Sequence, residues 1–232
     1  MRLALLGDIH GNHLALEAVL NASKKHGVER LLITGDLVGY YFWPGKVLAL
    51  LAPWTRDVVR GNHEDMLSGA RSDPVFLAGV DSRYGTGLRS AIEQLGAQQL
   101  DQLCALPHPM EINANGCKIL LCHGSPWDID QYIYPDAEPE LLNRCAVPGF
   151  DFVVLGHTHY PLVKNIGNSV VVNPGSVGQP RNRQAGASWA MLDTADRTIQ
   201  HFLEPYDIAS VVRQAQTANP HLPYLWEVLE RR

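Results

Sequence analysis

The strongest constraint on this chain is a set of five short apolar runs, each closed by a polar motif of metal-binding type. Arg2–Gly7 leads into Asp8-Ile9-His10, Arg30–Thr34 into Gly35-Asp36, and Arg56–Val59 into Gly61-Asn62-His63. Cys117–Cys122 leads into His123-Gly124, and Phe152–Leu155 into Gly156-His157-Thr158-His159. Runs this short and apolar read as buried strands. Helical patterns at Asn12–His26 and around Gly45–Ala52 separate the first three, so strand, helix and strand alternate. That order implies parallel pairing through right-handed crossovers and an α/β fold. Ligands of open α/β sheets gather beyond the carboxyl ends of the strands. Five motifs at such ends can therefore converge although they lie far apart in the chain.

The remaining pattern completes one body. Asn12 is placed to cap the first helix, and Lys24-Lys25-His26-Gly27 supplies a cationic last turn with a glycine stop. Residues 65–106 are mostly helical in character, over Ser82–Leu95 and Gln98–Leu103. Asn115-Gly116 is a hairpin signal between strands Met110–Asn113 and Cys117–Cys122. Gly124–Pro139 reads as a polar, aromatic loop. Strand-like runs return at Ser169–Asn173, Trp189–Leu192 and Thr198–Leu203, and a C-terminal helix is expected after an Asp207 cap. With 232 residues and no repeat or linker, the expectation is one domain over 1–232, with 207–232 a C-terminal helical extension.

A formal net charge of -5 argues against duplex DNA, RNA or an anionic membrane as partner. It does not oppose a small phosphate substrate, because bound cations reverse the local field. Cys104, Cys117, Cys122 and Cys145 form no C-x-x-C pair, which suits reduced thiols. The N-terminal apolar stretch is too brief for a signal peptide, and no apolar run approaches the ~20 residues that span a bilayer. A cytoplasmic location is the expectation.

Taken singly, the motifs are weak. An isolated D-x-H is more often a turn and helix start, an Asn after Gly more often a turn or cap, and a lone His more often a satisfied core histidine. Their joint occurrence, in order and all at strand ends, defeats those readings. Carboxylate, imidazole and amide oxygen together suit a borderline first-row cation. Two cations roughly 3.5–4 Å apart can clamp the attacking and leaving oxygens of an in-line displacement. A shared carboxylate must then hold the like charges together. Asp36, isolated from the other acids, is the natural bridge.

The series G-D-x-H, G-D, G-N-H-E, H and G-H-x-H, here Gly7–His10, Gly35-Asp36, Gly61–Glu64, His123 and Gly156–His159, resembles the calcineurin-like metallophosphoesterase superfamily. Asp8–Asn12, Gly35–Tyr40 and Asn173–Gly178 are similar to its small prokaryotic phosphodiesterase branch. The resemblance implies a four-layer α/β/β/α sandwich with a dinuclear metal site at the strand ends. By it, Asp8, His10, Asp36 and His159 would bind one metal, and Asp36, Asn62, His123 and His157 the other. His63 would face substrate without binding metal, protonating the leaving group or stabilising the transition state. The implied nucleophile is a metal-bridging hydroxide. Mn²⁺ is the first choice of ion, with Fe²⁺ or Zn²⁺ as alternatives.

The sequence also departs from relatives. Ser/Thr phosphatases of the superfamily carry G-D-x-V-D-R-G at the second motif, whereas this chain has Gly39 in place of the acid that orients the catalytic histidine and Tyr40 in place of a phosphate-binding arginine. What orients His63 is left open. Tyr40–Pro44 could rim the pocket or pack on the domain, and Trp127 with Tyr132–Pro135 could form a second wall. Arg181 and Arg183 follow the Asn173–Gly178 turn and could reach a phosphate, but surface arginines are common and both are left outside the site. The leading function is hydrolysis of small, soluble, nucleotide-like or other phosphodiesters. The alternatives are dinucleoside polyphosphate hydrolysis and, less favoured, a non-catalytic scaffold on the same fold.

Overall fold

The computed structural model describes residues 1–231. Strand β1 (Arg2–Leu6) is followed by α1 (His13–Lys25), β2 (Arg30–Ile33), α2 (Pro44–Leu51) and β3 (Arg56–Val58). Four helices come next: α3 (Asn62–Ala70), α4 (Pro74–Tyr84), α5 (Gly87–Gln94) and α6 (Ala97–Cys104). The hairpin β4 (Met110–Ala114) and β5 (Cys117–Leu121) precedes α7 (Pro139–Cys145), β6 (Phe152–Val154), β7 (Leu162–Ile166) and β8 (Ser169–Asn173). Strands β9 (Ala187–Asp193) and β10 (Thr198–Glu204) and helices α8 (Ile208–Ala218) and α9 (Tyr224–Glu230) complete the chain.

Two five-stranded sheets result, ordered β10-β9-β1-β2-β3 and β4-β5-β6-β8-β7. Strands β1, β2 and β3 run parallel in the first, and β5, β6 and β8 in the second. Alternation along β1 explains the stacking. Leu3 and Leu5 face the second sheet, where they meet Ile119, Leu121, Phe152 and Val154. Ala4 and Leu6 face the other way, onto Leu16, Val19 and Leu20 of α1. A third cluster, built on Leu120, Val153, Leu142 and Cys145, covers the far face of the second sheet. This is the four-layer α/β/β/α sandwich, in one body.

Several elements differ from the sequence expectation. The helical pattern over Ser82–Leu95 is two helices, broken at Gly85, whose φ of 84° an L-residue disfavours. Asn62 and His63 open α3 behind the Gly61 cap. Helix α7 and strand β7 went unforeseen. Three of the four thiols are buried and none is bridged. No helix among the described residues is long and apolar enough to cross a membrane.

Helix α8 starts behind Asp207, which accepts from Ser210 N. With α9 it packs on Tyr40, Tyr41 and Phe42. Tyr41, fully buried, donates to Leu225 O at 3.0 Å and accepts from Gln179 Nε2 at 3.4 Å. Tyr41 and Phe42 therefore pack against the C-terminal helices and do not rim a pocket. Tyr41→Phe should leave the Leu225 carbonyl without its partner and cost about 1–2 kcal/mol. The check is the urea midpoint; an unchanged midpoint would mean that the hydroxyl contributes nothing to docking α9.

Candidate metal centre

The candidate residues follow the carboxyl ends of β1, β2, β3, β5 and β6, and the loops there are laced together. His10 N donates to Asp36 O at 2.8 Å and Asp8 N to Gly35 O at 3.2 Å, tying the first two motifs. His63 N donates to Asp36 Oδ1 at 2.9 Å, tying in the third. Gly156 N donates to His123 O at 2.6 Å, and His157 N donates to both Asp8 carboxylate oxygens at 3.2 Å. These contacts force unusual backbone. Asp8, His10, Asp36, His157 and His159 have φ between 50° and 65°, the left-handed region that non-glycine residues enter at roughly 1 kcal/mol or more. Five of the seven candidate ligands are thus held in a strained conformation, which concentrates the cost at one place.

The side chains form two groups. In the first, His10 Nε2 lies 3.1 Å from His159 Nε2, and His159 Nε2 lies 3.4 Å from Asp8 Oδ1. In the second, His123 Nε2 lies 3.0 Å from Asn62 Oδ1 and 3.1 Å from His157 Nδ1. Asp36 Oδ2 stands between them, 3.7 Å from His10 Nε2 and 3.5 Å from His123 Nε2. All of the sequence-nominated ligands are brought together, and the isolated acid lies at the join.

The donor chemistry of the first group is decisive. His10 Nδ1 donates to Val38 O at 3.1 Å, and His159 Nδ1 donates to Gln179 O at 2.6 Å. Each ring has spent its hydrogen on a carbonyl, so the two Nε2 atoms confront each other as bare lone pairs. His123 is fixed the same way, through Nδ1 to Thr34 O at 2.7 Å. Carbonyls that fix the tautomer of a histidine and aim its other nitrogen are the usual support of a metal ligand. Burial holds the His10, His123 and His159 rings well below the usual imidazole pKa, so no proton relieves the contact. A cation would. The residues present fit one in each group.

A domain profile of the calcineurin-like phosphoesterase superfamily matches residues 1–197. The chain belongs to that superfamily. Protein MJ0912 of Methanocaldococcus jannaschii is 31% identical over 224 residues, covering 89% of this chain and 88% of that protein. A metallophosphoesterase from Sphaerobacter thermophilus superposes with a TM-score of 0.79 at 28% identity, covering 98% of this chain and 99% of that one. Protein PH1004 of Pyrococcus horikoshii OT3 superposes with a TM-score of 0.86 at 23% identity, covering 99% and 98%, a likeness of fold.

In this phosphoesterase, a ring nitrogen of His63 comes within 4.8 Å of ligand atoms of His10 and Asp36. No acid orients it. The ring is caged instead by His10 at 4.7 Å, Tyr40 at 4.8 Å and Tyr84 at 5.7 Å between centroids. Gly39 closes the cage, for a Cβ there would collide with His63 Nδ1, an atom with no hydrogen-bond partner among the described residues. Burial, then the charges of Arg181 and His157, push the imidazole down to about 3. On the other wall, Tyr132 lies against His157 with centroids 4.0 Å apart and stacks on Tyr134 at 5.6 Å. Trp127 packs under Arg144.

Two contributors escaped the sequence reading. Glu64, fully buried, accepts from Asp36 N, Leu37 N, Val38 N and Gly61 N at 2.8–3.3 Å. It holds the Asp36 loop onto the start of α3. Its signal was the G-x-x-E spacing, a cap box in which the third residue reaches back to the cap amide. Arg181, set aside as a surface residue, lies at the cluster, with Nη2 3.1 Å from Tyr40 OH. Asn12 keeps its expected role, accepting from Ala15 N, and also donates to Gly178 O.

Burial raises Asp8 from 3.8 to about 8, and burial with Glu64 and Asp8 nearby raises Asp36 well above its ordinary value. Metal binding needs both ionised, while the neutral histidines release nothing. Divalent-ion affinity should therefore rise with pH until about 8, with protons expelled on binding. Calorimetry of Mn²⁺ binding in buffers of different ionisation enthalpy checks this; affinity independent of pH over roughly 6 to 8 would contradict it.

Proposed function

We propose that this phosphoesterase hydrolyses small soluble phosphodiesters at a dinuclear centre, with Mn²⁺ as the preferred ion and Fe²⁺ or Zn²⁺ as alternatives. The observation that carries the reading is Asp36 Oδ2, set between the two groups at 3.7 and 3.5 Å from their nearest histidine nitrogens. Asp8, His10, His159 and Asp36 would hold one ion; Asp36, Asn62, His123 and His157 would hold the other. Bound there, the pair would neutralise phosphate charge and lower the pKa of a water nucleophile.

The chain's own residues do the rest. Asp36 Oδ1 already accepts from His63 N, which leaves Oδ2 as the oxygen that would face the ions. Val38, Thr34 and Gln179 carbonyls aim three of the imidazoles. His63 would meet the substrate from the caged position beside Tyr40 and, being neutral, would stabilise the leaving oxygen through an N–H hydrogen bond. Gly39 leaves that ring its space, and Tyr40 leaves the second motif without a cation for phosphate. The absence of the phosphatase-type acid and arginine favours small diesters over phosphoprotein.

A substrate panel tests the reading: an aryl phosphodiester, a cyclic nucleotide and a diadenosine polyphosphate, on one preparation with its metal content measured. Metal-stimulated turnover of the diesters is expected. Strong preference for the diadenosine compound would replace it with phosphoanhydride cleavage, and no turnover at full metal loading would return the scaffold reading. Asp36→Asn should lower metal content and activity together. His63→Ala should keep its metal and lose turnover by about 10²–10⁴-fold; loss of metal in that variant would sink the role given to His63.

A further inference from the structure

We infer that Arg181 grips the phosphate group of the substrate, taking the place of the arginine that the second motif lacks. This rests on the phosphoester reading and brings into the site a residue that the sequence left outside it. Three observations carry it.

The first is how the residue is delivered. Gly178 N donates to Asp8 O at 3.0 Å, and Gln179 O accepts from His159 Nδ1 at 2.6 Å. Arg181 N then donates to His159 O at 3.5 Å. The loop after β8 is therefore pinned to two candidate ligands just before Arg181, and its path leads over the cluster.

The second is the aim of the guanidinium. Nε and Nη2 donate to Gln179 Oε1 at 3.4 and 3.1 Å, and Nη2 donates to Tyr40 OH at 3.1 Å. Gln179 is fully buried, so its amide is a fixed brace. The Tyr40 ring beneath lies 4.5 Å from the His10 ring and 4.8 Å from the His63 ring. Nη1 makes no hydrogen bond among the described residues. One edge of the fork is committed to positioning by Gln179 and Tyr40, and the Tyr132 hydroxyl lies beside the guanidinium.

The third is charge. Among the described residues, no carboxylate forms an ion pair with this half-buried cation. Its guanidinium carbon lies 5.9 Å from the centroid of the Tyr40 ring, which itself abuts His10 and His63. A structural arginine of this exposure would be expected to pair with an acid. A planar fork beside a cationic centre instead matches the non-bridging oxygens of a phosphoryl group.

Inorganic phosphate is the probe, titrated by calorimetry into Mn²⁺-loaded full-length protein. Arg181→Gln should raise the phosphate Kd by about tenfold to a hundredfold at unchanged metal content. It should raise KM for an aryl phosphodiester far more than it lowers kcat, the mark of binding shared by ground and transition states. Arg181→Lys, which keeps the charge and loses the fork, should fall between. Arg183→Gln, on an exposed residue of the same loop, should leave both values unchanged. Unaltered phosphate affinity in Arg181→Gln would overturn the inference; so would loss of metal or of the folded state there with wild-type affinity in Arg181→Lys. Failure of the wild type to turn over any ester would sink the catalytic reading alone, because the phosphate titration still reports on Arg181.

Discussion

Two imidazole nitrogens with no hydrogen between them, His10 Nε2 and His159 Nε2 at 3.1 Å, are the contact on which the rest of the molecule turns. Both rings are buried, both have spent their Nδ1 hydrogen on a backbone carbonyl, and Asp8 and Asp36 stand beside them. Acceptors crowded against acceptors in a dry interior repel one another, and unpaired buried charge is among the costliest arrangements in a protein. A cation of suitable charge and softness would turn these repulsions into bonds, which is the physical case for one here. The same logic extends through Asp36 Oδ2 to Asn62, His123 and His157.

Holding such a cluster requires a rigid frame. Parallel strands of both sheets end at one place, and the interior between them is lined by Leu, Ile, Val and Phe on alternate positions. Against that frame, five candidate ligands adopt left-handed backbone, offset by hydrogen bonds that cross from loop to loop. Glu64 shows the economy of this construction. One carboxylate accepts from the Gly61 amide at the start of α3 and from three amides of the Asp36 loop, so the acid proposed to bridge is set by a residue that would itself touch no ion. The C-terminal helices add a further brace, since Tyr41 connects Leu225 to Gln179, whose carbonyl aims His159.

Much of this was legible because parallel strands convert sequence order into spatial convergence. An apolar run ending in Asp8, Asp36 or His123 needs only the α/β assumption to place its polar residue at the common edge. Local chemistry was legible too: the Asn12 and Asp207 caps are set by neighbouring amides, and the helix and hairpin signals around them are short-range. What escaped depended on partners distant in the chain. Arg181 looks like any surface arginine until the loop after β8 is seen fastened to Asp8 and His159. For Tyr41 and Phe42, a pocket rim and packing on the domain both stood open until α8 and α9 were seen to cover them. The single helix expected over Ser82–Leu95 gave way at Gly85, where Leu225 and Asn219 of the C-terminal segment approach closely. Exposed β7, which meets the core only at its ends through Leu162 and Ile166, lacked the apolar signal that marked its neighbours.

The central claim is that one carboxylate oxygen serves two neighbouring cations. Anomalous diffraction from crystals of the Mn²⁺-loaded protein tests it directly. The account predicts two peaks roughly 3.5–4 Å apart, with Asp36 Oδ2 in contact with both. A single peak, or two ions that do not share Asp36, would contradict it.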